Sequence, residues 1–473
     1  MSDSADLRGN DPMAGRQVGQ VLEVTTGEVA NGGWCVARPD AGPASGPVIF
    51  VRHALPGERA EVRITEVATR YARADAVRIL VPSPDRVTPP CPVARPGGCG
   101  GCDWQHASLP AQRALKATVI AEQLRRLAGI DREVTVEPIP SGWAAGARGA
   151  GLGWRTRVQF AVRRDGVAGL RAHRSHEVID VGECLIAHPS VSELGITKRR
   201  WPGADGVEAL AGPAERAVII AGGRRVPGGR GVPGGRGAAG GRAAAGGRGA
   251  AAGGAGDWAD VPADSVLSRG RNGALTALRG RGYLTQHAAG RDWRVGVGSF
   301  WQVHPGAADV LADAVLAAVE PRAGDVALDL YCGAGLFGGV LADVVGPDGL
   351  VIGVESNAAA VRDARHNLRD RARIHRGDVA AVLRRGDLPP ARLVVADPPR
   401  AGLAREVVDY LTGPAGSPGA AAERFGYVSC DPATLARDLG LLCARGWALA
   451  DLRAFDAFPM THHVECVASL TRR

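Results

Sequence analysis

The C-terminal part of the chain, from Asp325 onward, constrains the fold more than any other segment. Short apolar runs alternate there with helical patterns, and continuous apolar runs are typical of strands that a parallel sheet buries on both faces. The order strand, Gly-rich loop, helix, strand therefore predicts a doubly wound, Rossmann-like α/β domain. The predicted strands are Val326–Leu330, Leu350–Val354, Leu393–Ala396 and Phe425–Ser429.

The loops that follow these strands predict a nucleoside-cofactor site. Gly333 and Gly335 allow a tight turn after the first strand and a close approach of backbone amides to a ligand. Glu355 ends the second strand, where an acid can accept hydrogen bonds from ribose hydroxyls. Asp378 is predicted to contact an adenine amino group, and Asp397 lies at a strand's carboxyl end, where open α/β sheets bind ligands. A dinucleotide enzyme is the alternative, but the third glycine of its motif is absent from the usual place.

Two residues near the C-terminus are candidates for catalysis. Cys430 ends a predicted strand and precedes Asp431-Pro432, a helix start whose positive end favours a thiolate. Glu465 is flanked by apolar residues in the last strand pair and can act as a base. A thiolate that adds to carbon 6 of uracil makes carbon 5 nucleophilic, and a base must then remove the proton from carbon 5. The pair therefore predicts methylation of carbon 5 of a uracil.

Short β-like runs with Gly and Pro between them predict a small β-barrel over residues 17–80. The segment Val51–Glu58 resembles the TRAM domain, an OB-like RNA-binding module. We predict an α+β middle RNA-binding domain over residues 81–300 and the methyltransferase domain over residues 301–473. The N-terminal residues 1–16 and the Gly/Arg/Ala-rich insertion 221–256 are predicted to be disordered.

These motifs together resemble the family of RNA uracil-5 methyltransferases, which act on 23S ribosomal RNA and transfer RNA. The resemblance covers residues 18–200 and 275–473 and implies S-adenosylmethionine as the methyl donor. It implies that Cys430 is the nucleophile and Glu465 the base. It also implies a set of cofactor contacts, namely Gln302, Tyr331, Gly333, Gly335, Leu336, Glu355, Asp378 and Asp397.

Four further cysteines form a pattern that suits a metal. Cys91, Cys99 and Cys102 lie in a Gly-rich segment, and Cys184 follows far downstream. Four thiolates can hold zinc or an iron–sulfur cluster. The segment Gly97–His106 resembles the iron–sulfur subset of the family, which implies a structural [4Fe–4S] cluster on these cysteines.

The charge of +8 and the pI of about 9.3 suit an anionic partner, although only two lysines occur and the arginine content reflects a general bias in composition. We predict an RNA partner, ribosomal RNA in the first place, with no membrane and no obligate protein partner. The absence of a signal segment predicts a cytoplasmic protein.

Three alternative functions remain: a transfer-RNA methyltransferase, a catalytically inactive RNA-binding protein and a DNA cytosine methyltransferase. The last is disfavoured because Ser429 rather than Pro precedes Cys430.

Overall fold

The computed structural model describes residues 17–39, 48–142, 149–222, 258, 260–414 and 416–473. The chain forms two compact units that alternate along the sequence. Unit 1 comprises Met1–Ile139, Pro398–Leu403 and Tyr427–Arg473, and unit 2 comprises Pro140–Asp397 and Ala404–Gly426. The predictions of disorder over residues 1–16 and 221–256 lie outside the described residues, except at Ala221 and Gly222.

The secondary structure alternates between β-rich and α/β segments. The strands are β1 (Val21–Ala30), β2 (Trp34–Pro39), β3 (Val48–Arg52), β4 (Arg59–Val67), β5 (Tyr71–Val81), β6 (Val136–Pro138), β7 (Arg157–Val162), β8 (Ala168–Arg171), β9 (Val178–Ile179), β10 (Gly206–Ala211), β11 (Arg216–Ala221), β12 (Ser265–Arg269), β13 (Leu275–Arg279), β14 (Tyr283–Ala288), β15 (Arg291–Gly296), β16 (Val326–Leu330), β17 (Leu350–Glu355), β18 (Arg373–Arg376), β19 (Leu393–Ala396), β20 (Arg424–Ser429), β21 (Trp447–Asp456) and β22 (Glu465–Arg472). The α-helices are α1 (Leu109–Gln123), α2 (Pro189–Ser192), α3 (Ala307–Val319), α4 (Leu336–Val345), α5 (Ala358–Leu368), α6 (Val379–Arg385), α7 (Arg405–Leu411) and α8 (Pro432–Cys443).

Unit 1 begins with a closed barrel of strand order β1-β2-β3-β5-β4. Alternate residues of β4 point inward, so that Ala60, Val62 and Ile64 are buried while Arg59 and Arg63 are exposed. This barrel confirms the small β-barrel that the sequence predicts.

The rest of unit 1 joins α1 to the C-terminal strands. Pro110 in the first turn and the Ser108 cap, which accepts a hydrogen bond from the Ala111 N–H (3.4 Å), start α1. The end of β20 lies beside β22, which pairs antiparallel with β21, and β21 pairs parallel with β6.

Unit 2 contains a seven-stranded sheet of order β13-β12-β11-β10-β7-β8-β9 and a separate hairpin, β14–β15. Trp201, Val218 and Ile220 are among the buried residues of the sheet's core. The parallel strands β18-β17-β16-β19 form the Rossmann-like α/β sheet of unit 2. Both β16 and β19 have the predicted bounds, since each is a continuous buried apolar run apart from Asp329.

No helix in the described ranges is long and apolar enough to cross a membrane.

Candidate active site

The loop between β16 and α4 has the tight conformation that its sequence predicts. Gly333 and Gly335 have φ values of 54° and 96°, a region that glycine enters without a steric penalty. Tyr331 has a φ of 63°, which is uncommon for a residue with a side chain. Gly335 is the N-cap of α4, and Leu336, the first residue of the helix, is buried.

Glu355 at the end of β17 is tied to this loop. One carboxylate oxygen accepts a hydrogen bond from the Gly333 N–H (3.1 Å), and the other accepts one from the Asn357 N–H (2.6 Å). The side chain of Asn357 caps α5 through the N–H groups of Ala359 and Ala360. The predicted ribose-binding acid therefore lies beside the glycine loop.

Asp329, the next-to-last residue of β16, is a functional candidate that the sequence analysis missed. It is fully buried, its Oδ2 accepts a hydrogen bond from the Gly338 N–H (2.6 Å), and its Oδ1 has no partner among the described residues. Burial and the nearby charges of Asp397 and Glu355 raise the pKa of Asp329 to about 8. An acid inside an otherwise apolar strand is the signal that could have indicated it.

The remaining predicted cofactor residues differ in their surroundings. Burial raises the pKa of Asp397 to about 7. Asp378 is the N-cap of α6, where it accepts a hydrogen bond from the Ala381 N–H (3.0 Å), and the N–H of the preceding Gly377 bonds to the Glu355 carbonyl (2.9 Å). The strand ends therefore bring Glu355, Asp378 and Asp397 to the same edge of the sheet. Gln302 is buried and lines a small cavity of about 20 Å³ in unit 2.

Cys430 directly follows β20 and is partly exposed. The next residue, Asp431, caps α8, and its Oδ1 accepts hydrogen bonds from the N–H groups of Ala433 (3.0 Å) and Thr434 (2.9 Å). The thiol therefore lies immediately before the positive end of a helix, as the sequence predicts.

Glu465 opens β22 and is only 4% exposed. The next residue, Cys466, is fully buried, and burial raises the pKa of Cys466. The negative charges of Glu465, Cys430 and Asp431 raise it further. The candidate nucleophile follows β20 and the candidate base begins β22, which is the next strand in the sheet.

The segment that leads into Glu465 is held by residues that follow the cysteine-rich loop. Asp103 Oδ2 lies 2.6 Å from His462 Nδ1 and accepts the His462 N–H at 3.2 Å. The N–H groups of Asp103 and Trp104 both donate to the Met460 carbonyl at 3.0 Å. Gly33, in the β1–β2 turn, approaches so closely that a β-carbon there would lie 2.9 Å from His462 Cβ.

Helix α1 holds the same segment through two buried polar side chains. Gln112 Oε1 accepts a hydrogen bond from the Met460 N–H (2.7 Å). Lys116 Nζ lies 2.5 Å from Asp456 Oδ1 and donates to the Phe458 carbonyl at 3.0 Å. Both side chains are buried against these C-terminal partners, although they are polar.

The segment Pro398–Leu403 is fixed by α8 and by the base segment. Asp438 Oδ2 accepts hydrogen bonds from the Leu403 N–H and the Tyr427 hydroxyl, each at 2.8 Å. Arg400 Nη2 lies 3.3 Å from His463 Nε2. Burial and the positive charges of His462 and Arg400 lower the pKa of His463 to about 3, so a neutral imidazole accepts the bond from the guanidinium.

We expect Asp103→Asn to lower the free energy of unfolding by about 2 kcal/mol at neutral pH. Although burial opposes ionisation, the bonds and charge of His462, together with Arg52, lower the pKa of Asp103 from 3.8 to about 2. This stabilisation is present above the unfolded-state pKa and disappears as the pH falls through about 4 towards 2. Urea denaturation at a series of pH values measures the difference.

Asp165→Asn is the matched control, because the pKa of Asp165 is also lowered to about 2, by Arg163, but at an exposed pair. We expect it to change stability much less than Asp103→Asn. Equal stability of Asp103→Asn and the parent at neutral pH would contradict the proposed anchoring role of Asp103.

The described part of the chain shows no site for the predicted metal cluster. Among the residues that the structure describes, no group of three or more His, Cys, Asp or Glu side chains is placed to hold a metal ion. No step of the reaction is therefore assigned to a cluster.

The glycine-rich loop that carries Cys99 and Cys102 is held by backbone hydrogen bonds. The Cys99 N–H donates to the Val93 carbonyl and the Gly98 N–H to the Arg95 carbonyl, both at 2.9 Å. A β-carbon at Gly98 would lie 2.1 Å from the Val93 carbonyl oxygen, so the turn requires glycine. Gln105 Oε1 accepts the Cys91 N–H at 3.0 Å.

Comparisons with known proteins agree with this arrangement of folds. Residues 15–77 match the TRAM domain, and residues 390–473 match the tRNA (Uracil-5-)-methyltransferase family. Residues 306–387 match the protein-L-isoaspartate(D-aspartate) O-methyltransferase family.

Full-length relatives and a solved structure extend the match. A Streptomyces avermitilis protein described as an uncharacterized RNA methyltransferase is 48% identical over 96% of this chain and 98% of its own. A Streptomyces coelicolor protein of the same description is 47% identical over 96% of this chain and 93% of its own. The tRNA (uracil-54, C5)-methyltransferase of Pyrococcus abyssi, solved with S-adenosyl-L-homocysteine, is 24% identical with a TM-score of 0.66, over 95% of this chain and 100% of its own.

The Rossmann-like fold with its acids at the strand ends, together with the relatives, defines an S-adenosylmethionine-dependent enzyme that acts on RNA. The chain belongs to the family of RNA (uracil-5-)-methyltransferases, here with an N-terminal TRAM domain. The fold class and the family that the sequence motifs predict are thereby confirmed.

Proposed function

We propose that this protein forms 5-methyluridine in RNA by covalent catalysis, with Cys430 as nucleophile and Glu465 as base. The observation that carries the proposal is that Cys430 directly follows β20 and Glu465 begins β22, the neighbouring strand in the sheet. The position of Cys430 before the capped N-terminus of α8 supports its role, because a helix N-terminus stabilises a thiolate.

In the proposed reaction, the Cys430 thiolate forms a bond to carbon 6 of the uracil. The electron pair of the carbon 5–carbon 6 double bond then forms the new bond from carbon 5 to the methyl group, while the bond from that methyl group to the sulfonium sulfur of the donor breaks and leaves its electron pair on the sulfur. Glu465 accepts the proton from carbon 5, the double bond re-forms, and the bond from Cys430 Sγ to carbon 6 breaks. Attack on the face of the uracil ring requires that this nucleobase is not stacked on its neighbours in the RNA.

The acids at the strand ends of unit 2 fit a positively charged ligand. Asp329 has a buried oxygen without a partner in the described structure, and the charges of Glu355 and Asp397 act on it. S-adenosylmethionine carries a positive sulfonium and supplies the methyl group when it is bound. We assign Gln302, Tyr331, Gly333, Gly335, Leu336, Glu355, Asp378 and Asp397 to its binding.

We propose ribosomal RNA of the large subunit (23S) as the substrate and the cytoplasm as the place of action. The TRAM domain supports an RNA substrate, and the resemblance of the barrel together with the cysteine segment to the ribosomal members of the family favours 23S ribosomal RNA. Transfer RNA is the second candidate, since the Pyrococcus abyssi protein of the same fold is a tRNA (uracil-54, C5)-methyltransferase.

We also propose the division into domains at residues 17–80, 81–300 and 301–473.

Methylation of RNA from a strain that lacks the gene tests the substrate. We expect the purified protein to transfer tritiated methyl groups to 23S ribosomal RNA, and mass mapping then locates 5-methyluridine. Modification of transfer RNA alone would support the second candidate. Binding of RNA without release of tritium from carbon-5-labelled uridine would support an inactive RNA-binding protein instead.

We keep the [4Fe–4S] cluster as a proposal from the sequence alone, supported by the Cys99-x2-Cys102 spacing and the resemblance to the iron–sulfur subset. The proposal predicts about four iron and four sulfide ions per chain after anaerobic purification. It also predicts their loss in Cys102→Ser and their retention in Cys443→Ser. Protein that is folded and active but contains no iron would refute it.

A further inference from the structure

An open cleft of about 470 Å³ lies in unit 2, between the hairpin β14–β15 and the C-terminal end of α5. Its volume is within the range of about 300–1,000 Å³ that is common for ligand clefts. None of its lining residues is among the assigned cofactor residues. Four of the lining residues are arginines, namely Arg281, Arg294, Arg369 and Arg371.

Positive charge dominates this cleft. Arg294 pairs with Asp363 at 3.4 Å and Arg371 with Asp343, but Arg281 and Arg369 form no salt bridge with any described carboxylate. Glu215 and Asp264 act on Arg281 only at longer range. Asp292 is the one acid among the lining residues, and its Oδ1 lies 3.0 Å from His287 Nδ1. The cleft therefore retains two exposed guanidinium groups for an anion.

An aromatic ring accompanies the arginines. The guanidinium carbon of Arg294 lies 4.5 Å from the ring centroid of Tyr283, and that of Arg281 lies 5.8 Å from it. Arginines combined with aromatic rings are typical of surfaces that bind single-stranded nucleic acid, since guanidinium groups contact phosphates and rings stack on bases.

Arg369 has an unusual backbone at the rim of the cleft. As the C-cap of α5 it has φ 48° and ψ −123°, which is unfavourable for a residue with a side chain. Its side chain is exposed. Backbone strain of this kind is common at functional sites, which supports a role for the Arg369 side chain in binding.

The cleft shares a wall with the cofactor loop. The Asn367 side-chain amide donates to the carbonyls of Arg294 and Ala334, both at 2.9 Å. Leu368 packs against Gly335, where a β-carbon would lie 3.0 Å from Leu368 Cδ1. Asn367 and Leu368 also line the cleft, so a ligand there would contact residues that support the loop.

From these contacts we propose that the cleft binds the phosphate backbone of the RNA substrate, with Arg281 and Arg369 as the phosphate ligands and Tyr283 as a stacking platform. The inference rests on the proposed action on RNA and adds a second contact region to it.

Binding of a fluorescein-labelled oligouridylate at several salt concentrations tests the site. We expect Arg281→Ala and Arg369→Ala each to weaken binding roughly tenfold. In the double variant, the slope of log affinity against log salt should become shallower by about 1.4, because two single-strand phosphate contacts are lost. Arg405→Ala is the matched control, since this arginine on α7 of the same unit has a side chain 87% exposed; it should change neither quantity.

An unchanged affinity and salt slope in the double variant would overturn the proposal, as would an equal loss in Arg405→Ala, which would indicate an effect of net charge alone. The proposal would also be overturned if inorganic phosphate or a free mononucleotide bound in the cleft while the substitutions left the affinity for RNA unchanged. The assay measures RNA binding and not methylation, so the two proposals can fail separately. If the parent protein methylates no uridine but the cleft variants still lose RNA binding, the proposed function is refuted and the proposed RNA-binding cleft is supported.

Discussion

Cys430→Ala is expected to reduce methyl transfer to RNA by about 10³-fold or more, because the reaction then lacks the bond to carbon 6 that activates carbon 5. Release of tritium from carbon-5-labelled uridine and incorporation of tritiated methyl groups should fall together. The fold should be retained, because Cys430 follows β20 and is only partly exposed, and the Asp431 cap of α8 remains.

Cys443→Ala is the matched control for this change. Cys443 is the last residue of α8, the helix whose N-terminal end follows Cys430, so the same substitution is made at the opposite end of one helix. We expect this variant to keep the activity of the parent. An undiminished rate in Cys430→Ala would exclude the covalent mechanism, whatever the result for Cys443→Ala.

Glu465→Gln is expected to reduce turnover by about 10²- to 10⁴-fold and to trap an intermediate. Without a base, carbon 5 keeps its proton after methylation, the double bond cannot re-form, and Cys430 stays bonded to carbon 6. A protein–RNA adduct that survives denaturation should therefore accumulate on a denaturing gel. The amide nearly preserves the volume of the side chain, which matters because Glu465 is buried at the start of β22.

The double variant Cys430→Ala/Glu465→Gln should form no adduct, since it lacks the sulfur that makes the bond. Glu423→Gln changes an exposed glutamate to the same amide, and we expect normal turnover from it. Rapid turnover without adduct in Glu465→Gln would mean that another group removes the proton.

The sequence predicts much of the fold because local patterns determine its elements. The runs Val326–Leu330 and Leu393–Ala396 are strands with the predicted bounds, since a continuous apolar run leaves few other ways to be buried. The start of α8 after Cys430 is equally local, because Asp431 and Pro432 are both residues that begin helices. The two-residue strand Val178–Ile179 has little apolar pattern around it, so the local sequence gives it only weak support.

The parts of the site that the sequence does not predict depend on contacts between distant residues. Lys116 and Asp456 are 340 positions apart, and no periodicity in either segment indicates that they form a buried pair. The same holds for Asp103, whose partner His462 is 359 positions away. The high pKa of Asp329 arises from burial and from two acids on other loops, so it also needs the folded arrangement.

The pairing of β6 with β21 and of Lys116 with Asp456 has a consequence for how the protein is made. A nascent chain that ends before Asp456 contains Lys116 but lacks the carboxylate that pairs with it in the folded protein. Burying the charge of Lys116 without this partner is strongly unfavourable. Helix α1 can therefore bury Lys116 against Asp456 only after β21 has been synthesised. Incomplete products of translation that end before Glu465 would lack the proposed base and could not methylate RNA, even where their RNA-binding parts had folded.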